Sequence, residues 1–207
     1  MTTSTAFIFV GSEEFAGAGE QWSLGGSIVA NDSSWRTASF TALSDSTKEL
    51  RGFNLSIAAD PNAPPDNAVI KGVEVGIGRH YTEQTPTGDV RDTAVRLLKD
   101  DGAGGRMVVG QVRVMPGAWK KDPPDAFDVV GGPTDDWGAA LIGADVKSPN
   151  FGASLICHGR QDILDLGDYQ TTANVNYITL RVTWDLPTTT QRLRRRTRSA
   201  LARGVLI

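Results

Sequence analysis

Cys157 and His158 stand side by side in the sequence, and a thiol next to an imidazole is a pairing that cysteine nucleophiles use. Neighbouring residues on a β-strand point to opposite faces, and Cys157 closes an alternating run that begins at Phe151, so the two side chains are expected to lie apart. We interpret Cys157 as a small core residue. As the only cysteine, it also excludes an internal disulfide. The sequence predicts no catalytic residue and a protein that is not an enzyme.

Metal and cofactor sites are not predicted either. Five side chains in the last third of the chain carry oxygen atoms that could bind calcium: Asp162, Asp165, Asp168, Asn174 and Asn176. The spacing of the aspartates differs from the alternate-residue ligands of a compact calcium loop and favours a solvated acidic loop. The only histidines, His80 and His158, fall in separate segments and do not predict a zinc site. The glycine clusters lack the spacing of a nucleotide-binding loop.

Asp135, Asp136 and Trp137 place two acids beside an aromatic ring, in a segment that follows glycine and proline residues. Aspartates in turns accept hydrogen bonds from backbone N–H groups, so one interpretation is a structural turn with Trp137 folded over an open end of the body. The same residue types could instead stack on a sugar and hydrogen-bond its hydroxyls. The second interpretation makes these three residues possible ligand-binding positions.

Charge divides the chain at Pro187. Residues 188–207 carry six of the 21 Lys and Arg residues and none of the 24 Asp and Glu residues, so residues 1–187 are acidic. This division predicts a folded body over residues 1–187 and a basic C-terminal segment, helical or extended, over residues 188–207. The residues of this segment that are expected to bind a partner are Arg192, Arg194, Arg195, Arg196, Arg198, Leu201, Arg203, Leu206 and Ile207.

The basic C-terminal segment has three interpretations. Arginine makes forked hydrogen bonds to carboxylates, so the segment could anchor the protein on an acidic protein partner. Arginine also binds phosphates, which leaves packaged DNA as a second partner. A short charged terminus can also be a solvated extension, but the apolar tip at residues 205–207 favours docking on a protein.

The elements that must position these residues are mostly strands. The chain has 23 glycines and 10 prolines, and residues 1–187 lack long runs of strong helix formers. Seven stretches have the composition or the two-residue period of strands: residues 6–10, 50–57, 69–79, 90–98, 107–115, 151–157 and 177–184. With weak strands between Ser27 and Phe40 the count is about eight, which predicts an all-β, antiparallel β-sandwich of jelly-roll type.

The stretch over residues 69–79 has two different faces. Val73, Val75 and Ile77 alternate with Gly76 and Gly78, so one face is apolar and the other carries glycine. The glycine face leaves room for another backbone or side chain to lie close. Farther along, residues 90–98 and 107–115 flank a glycine-rich loop and predict a β-hairpin.

The order of several motifs resembles a group of bacteriophage and prophage virion proteins associated with tails or necks. These motifs are FNLSI at residues 53–57, AVIKGVEVGIGR at 68–79, VRLLK at 95–99, DDWG at 135–138, NFG at 150–152 and YITLRVTW at 177–184. The resemblance implies a β-sandwich structural module of a phage particle whose partners are other virion proteins, with no catalytic residue. A symmetric homo-oligomer suits such a particle.

We accordingly expect a virion location after synthesis in the host cytoplasm. No apolar run approaches the roughly 20 residues that a membrane-spanning helix needs, and no charged region precedes the short apolar stretch near the N-terminus, so no membrane association is expected. The alternative function is a host-surface adhesin of the virion. It would bind glycans through loops around Trp137, or around His80 and Tyr81.

Overall fold

A computed structural model describes residues 2–40, 44–83, 88–160 and 170–187 of the chain. Within these ranges, one 3-10 helix spans Ile57–Ala59 and one short α-helix, α1, spans Gly143–Lys147. No helix in the described ranges is both long and apolar enough to cross a membrane. Twelve strands make up the rest of the regular structure: β1 (Thr2–Ser4), β2 (Ile8–Phe9), β3 (Ser12–Ala16), β4 (Arg36–Phe40), β5 (Ser44–Ser46), β6 (Glu49–Phe53), β7 (Val69–Glu83), β8 (Asp89–Asp100), β9 (Arg106–Arg113), β10 (Ala126–Gly131), β11 (Gly152–Arg160) and β12 (Thr171–Asp185).

The strands form two antiparallel sheets that pack face to face. The first sheet has the order β1-β12-β7-β10, and β2 and β4 also pair with β12. The second sheet has the order β3-β6-β11-β8-β9, and β5 also pairs with β11. From β6 onward the chain crosses between the sheets at every connection except the β8–β9 hairpin. The fold is therefore an all-β sandwich, as the sequence predicts, and the predicted hairpin is confirmed.

The longest pairing, between β7 and β12, sets the inner face of the first sheet. Val73, Val75 and Ile77 lie opposite Val182, Leu180 and Ile178 across the ladder, in the same register. All six side chains are buried in the core between the sheets. The apolar face that the alternation predicts for residues 69–79 is confirmed.

The opposite face of β7 is covered by aromatic rings that the glycines admit. A Cβ atom at Gly78 would lie 2.3 Å from the Tyr177 ring, and one at Gly76 would lie 2.5 Å from the Phe127 ring. Both distances are shorter than any real contact, so any side chain in place of these glycines would push the rings off the sheet. The room that the glycines were expected to leave is filled by rings from the two neighbouring strands.

One predicted strand ends early. The alternation of Phe53, Leu55 and Ile57 predicted a strand to Ile57, but β6 ends at Phe53 because Asn54 has a left-handed backbone with a φ of 61°. Leu55 and Ile57 are buried all the same, and Ile57 lies on the 3-10 helix. Here the apolar alternation marks residues that are buried in the core, although the chain is no longer a strand.

Strand β10 and helix α1 have no counterpart in the sequence prediction. The strand turns Phe127 and Val129 toward solvent and therefore does not show the inward apolar period by which the other strands were found. The helix has only one turn, and its first residues are held by a hydrogen bond from the Ile142 N–H to the Asp145 carboxylate at 2.9 Å. The helix is too short to produce a helical pattern in the sequence, and the strand lacks a regular apolar inner face.

A buried ion pair connects the two sheets. Arg79 on β7 bonds to Asp92 on β8, and both side chains are almost completely shielded from solvent. The Trp119 Nε1–H donates to the same carboxylate at 2.8 Å, and the Arg79 guanidinium lies 4.7 Å from the Trp119 ring. Because the cluster is buried, removing Asp92 leaves Arg79 with only the partly exposed Asp128, 3.2 Å away, as a charged partner.

Replacing Asp92 by alanine is predicted to lower the free energy of unfolding by about 3–5 kcal/mol, because Arg79 would remain buried without its partner. The matched control is Asp89→Ala on the same strand, which breaks an ion pair with the exposed Arg91 and should cost less than about 1 kcal/mol. Urea titration followed by far-UV circular dichroism measures both changes. Equal losses in the two variants would contradict a structural role for the buried pair.

Candidate functional site

Trp137 is buried and cannot offer a ring face to a ligand. Its side chain has no exposed surface, and its Nε1–H donates to the Val73 carbonyl at 2.8 Å. The Asp135 carboxylate accepts the Trp137 N–H at 2.9 Å, and the Asp136 carboxylate accepts the Gly138 N–H at 2.9 Å. This arrangement is the structural turn of the first interpretation, and it corrects the expectation of a sugar platform at Asp135, Asp136 and Trp137.

The turn also forms hydrogen bonds with the second sheet. Arg113 on β9 donates to both oxygens of Asp135, at 2.8 and 3.0 Å. These hydrogen bonds hold the pKa of the Asp135 carboxyl below its ordinary value, so the ion pair persists at neutral pH. The Gln111 N–H donates to the Trp137 carbonyl at 2.7 Å, so this turn also covers part of the β9 backbone.

Cys157 lies in the core, as its interpretation from the sequence predicts. The thiol is fully buried, and its sulfur lies 3.8 Å from the Thr47 hydroxyl oxygen. Burial raises the pKa of the Cys157 thiol far above its ordinary value, which disfavours the thiolate that a nucleophile needs. His158, the next residue, has its Nδ1 3.5 Å from the Ser46 hydroxyl.

Several predicted positions lie outside the described residues. The partner-binding residues of the basic C-terminal segment all fall there: Arg192, Arg194, Arg195, Arg196, Arg198, Leu201, Arg203, Leu206 and Ile207. Asp162, Asp165 and Asp168 fall there as well. The described part of the chain holds no group of three or more His, Cys, Asp or Glu side chains placed to bind a metal ion.

The described surface contains an aromatic cluster on the outer face of the first sheet. Phe127 stacks with Tyr177 at a centroid distance of 6.0 Å, and Phe7 and Phe9 meet these two rings edge-on at 5.5 and 5.6 Å. Phe9 and Phe127 expose 42% and 48% of their surface, although large apolar side chains usually favour burial. A cleft of about 260 Å³ opens between these four rings, and we call it the aromatic end of the site.

A polar cluster around Asp125 adjoins the aromatic rings. The Trp35 Nε1–H donates to both carboxylate oxygens at 3.2 and 3.3 Å, and the His80 Nδ1 lies 2.6 Å from Oδ1. The Asn176 amide donates to Oδ2 at 2.8 Å and to the Asn31 side-chain oxygen at 3.1 Å. These contacts fix Asp125, Asn176 and Asn31 in place.

The polar cluster lines a second cleft of about 450 Å³, which we call the polar end of the site. Asn31 and Tyr177 line both clefts, so the two clefts adjoin, and we call them together the trough. Burial, and next the negative charge of Asp125, raise the pKa of the Tyr177 phenol, so the hydroxyl remains protonated at neutral pH. The trough thus combines aromatic rings with amide and hydroxyl groups and the Asp125 carboxylate.

One polar atom in the floor of the trough lacks a partner. Asn176 is 2% exposed, and its two acceptors fix the amide so that the nitrogen faces Asp125 and Asn31. Its Oδ1 is buried and accepts no hydrogen bond. An unpaired buried acceptor costs about 1–3 kcal/mol, and the described residues supply no donor for it.

The trough was missed in the sequence because it is assembled from distant segments. Trp35 precedes β4, Asp125 precedes β10, and Asn176 lies on β12, so no local motif joins them. His80 and Tyr81, which were expected in a loop, lie within β7 and are buried; the Trp35 ring packs edge-on over His80 at 5.6 Å. The one available signal was the polar Asn176 directly before the strand pattern predicted over residues 177–184.

A second exposed surface lies on β9 and the residue just after it. Val108, Val112 and Val114, which occupy alternate positions, expose 39%, 48% and 52% of their surfaces. This strand is the last in the order of the second sheet. We call these three side chains the β9 apolar surface.

Comparison with known proteins gives no assignment for the chain, since no protein-family model matches it and no curated protein is significantly similar to it. The functional argument therefore depends on the two exposed surfaces and on the sequence motifs. Neither surface involves the residues that the sequence had marked as possible ligand-binding positions.

Cys157 is predicted to be unreactive toward Ellman's reagent in the native protein at about pH 8, because burial blocks access and raises the thiol pKa. After unfolding in guanidinium chloride it should react at the rate of a free cysteine. A Ser33→Cys variant supplies the control, because Ser33 is exposed and its replacement should react at once in the native state. Native Cys157 reacting as fast as the introduced thiol would contradict its burial.

Proposed function

We propose that the protein is a non-enzymatic structural component of a phage particle, a tail, neck or head-decorating protein that attaches to other virion proteins. The motifs that resemble virion proteins fall on β7, β8 and β12, at the end of β6, at the start of β11 and on the turn that holds Trp137. Strands β7, β8, β11 and β12 form the centre of the two sheets. The resemblance therefore concerns the framework of the body, and it supports a module built for assembly.

The β9 apolar surface is the observation that carries this proposal. Monomeric proteins rarely expose several large apolar side chains together, and such patches mark contacts with other proteins. An apolar outer strand is also a hazard for aggregation unless a partner covers it. We propose that a neighbouring subunit of the particle, either another copy or a different virion protein, packs on this surface.

The contact on β9 is made by side chains rather than by extension of the sheet. The Gln111 N–H, in the middle of the strand, already donates to the Trp137 carbonyl. The Arg113 side chain is held by Asp135 across the same edge. A strand from a partner would have to displace this turn, whereas Val112 and Val114 remain exposed with the turn in place.

The basic C-terminal segment is the second proposed attachment. It follows β12, fourteen of whose fifteen residues pair with β7, so its removal takes away none of the described strand pairings. The body is acidic, and the segment carries six arginines, so the segment is suited to an acidic surface on another protein. Binding to DNA through the same arginines is the less favoured role.

Deleting residues 188–207 is predicted to leave a folded body that no longer joins the particle. The far-UV circular dichroism spectrum and the unfolding midpoint should stay close to those of the full chain, because every described strand is retained. Incorporation is measured by the amount of protein in purified particles after complementation of a deletion phage. Normal incorporation of the shortened chain would reject the anchoring role.

The variants Val112→Asp and Val114→Asp are predicted to lower incorporation by at least about tenfold, the effect of about 1.4 kcal/mol on a contact. A charge on the β9 apolar surface disfavours a contact that excludes water. In the isolated protein the substituted side chains stay exposed to solvent, so the substitutions should not disturb the fold. Leu24→Asp is the control, since Leu24 is 83% exposed and lies far from β9 in the sequence. Incorporation that is equal in all three variants would argue against a contact on β9.

A further inference from the structure

We propose that the trough on the outer face of the first sheet is a binding site for a neutral oligosaccharide. The proposal goes beyond a structural role in the particle, and it depends on residues other than those of the β9 apolar surface. Its grounds are the exposed rings, the fixed polar groups beside them, and the unpaired Asn176 oxygen.

The aromatic end supplies the apolar platform. The apolar C–H face of a sugar ring packs against aromatic rings, and Phe9 and Phe127 expose nearly half of their surfaces beside Tyr177. Gly76 and Gly78 let the Phe127 and Tyr177 rings lie against the strand, where the two ring planes are inclined by 29° to each other. A rigid platform loses little conformational entropy when a ligand binds.

The polar end supplies hydrogen bonds at fixed positions. The Asn31 oxygen accepts from Asn176, which leaves the Asn31 amide nitrogen to donate to a ligand. The Tyr177 hydroxyl can donate or accept, since it keeps its proton. Sugar hydroxyls both donate and accept, so they match a site that offers both kinds of group.

Asn176 is a further observation in favour of a ligand with hydroxyl groups. It lines the polar end, and its Oδ1 is buried with no hydrogen-bond donor among the described residues. Because this oxygen has almost no accessible surface, a ligand hydroxyl can donate to it only if its neighbours move slightly. An apolar ligand would leave this oxygen unsatisfied.

The charge of the trough disfavours a nucleic acid, which is the main competing ligand. None of the described residues that line the trough is basic, and Asp125 places a carboxylate at its polar end, so a phosphate backbone is disfavoured. Arg181 lies over Phe7 but is held by both oxygens of Glu74 at 2.6 and 2.7 Å. The oxygens of Asp125 already accept from Trp35, His80 and Asn176, so they offer a cation little free acceptor capacity.

The test uses the full-length chain on an array of neutral oligosaccharides built from hexoses and N-acetylhexosamines. Separate arms carry acidic glycans, a single-stranded DNA oligonucleotide, and choline as a cationic probe. The expected result is a response to one or more neutral oligosaccharides that persists at high salt, because no charge pairing is involved. A response confined to any of the other arms would overturn the proposal, as would no response at all.

Isothermal titration with the oligosaccharide found on the array assigns the site. Phe127→Ala and Asn31→Ala should each raise the dissociation constant at least about tenfold, since one removes part of the platform and the other the free amide. Met107→Ala is the matched control, because Met107 is as exposed as Phe127 and lies on the second sheet. Asn31 is exposed, so its variant keeps the test informative if Phe127→Ala is poorly folded.

Unchanged binding in both trough variants would overturn the assignment even with a positive array. The outcome is independent of the particle assay, because incorporation is measured on β9 and C-terminal variants that leave the trough intact. If the protein joins particles but binds no glycan, the structural role stands and the oligosaccharide site is rejected. If it binds glycans but does not join particles, the oligosaccharide site stands and the structural role is rejected.

Discussion

The alternation of β7 is the constraint on which the structure depends. Val73, Val75 and Ile77 face the core, while Gly76 and Gly78 face outward, so one strand serves both sides of the first sheet. A strand buried on both sides must fit its neighbours on each face, and side chains of ordinary size could not do so here. The core and the outer aromatic rings therefore both depend on the residues of β7. A change in the spacing of the apolar residues and glycines along β7 would alter both the core and the trough.

The buried ion pair continues the inner face of β7. Arg79 follows Ile77 at the same spacing, so the strand carries a charge into the core where the next apolar residue would stand. The pair with Asp92 and the bond from Trp119 satisfy the charged groups, and the Arg79 Nε reaches Asp128 on β10 at 3.2 Å. Such clusters contribute less to stability than an apolar packing would, but they tolerate few alternative arrangements. Here the cluster fixes how β7, β8 and β10 align, and β10 in turn carries Phe127 to the trough.

The sequence predicts those parts of the fold in which a local pattern and a tertiary role agree. The β8–β9 hairpin and the apolar face of β7 were foreseen because period and turn composition both lie within one segment. The end of β6 was not foreseen, because Leu55 and Ile57 keep the apolar period after the backbone has turned at Asn54. The trough could not be predicted at all, since Asn31, Trp35, Asp125 and Asn176 meet only through strand pairing. Conversely, the local group around Trp137 looked like a binding motif, and tertiary packing buried it.

The two exposed surfaces are independent in space and in chemistry. The β9 apolar surface belongs to the second sheet and the trough to the first, and no residue is shared between them. A purely apolar surface gains most from a dry contact with another protein, because it has no polar group to leave unpaired. A trough with fixed amides and a buried unpaired oxygen gains most from a hydroxylated ligand, because apolar contact alone would leave these groups unsatisfied. A subunit attached through β9 can therefore keep the trough open to solvent, which is the arrangement that a particle needs if its surface is to recognise a cell.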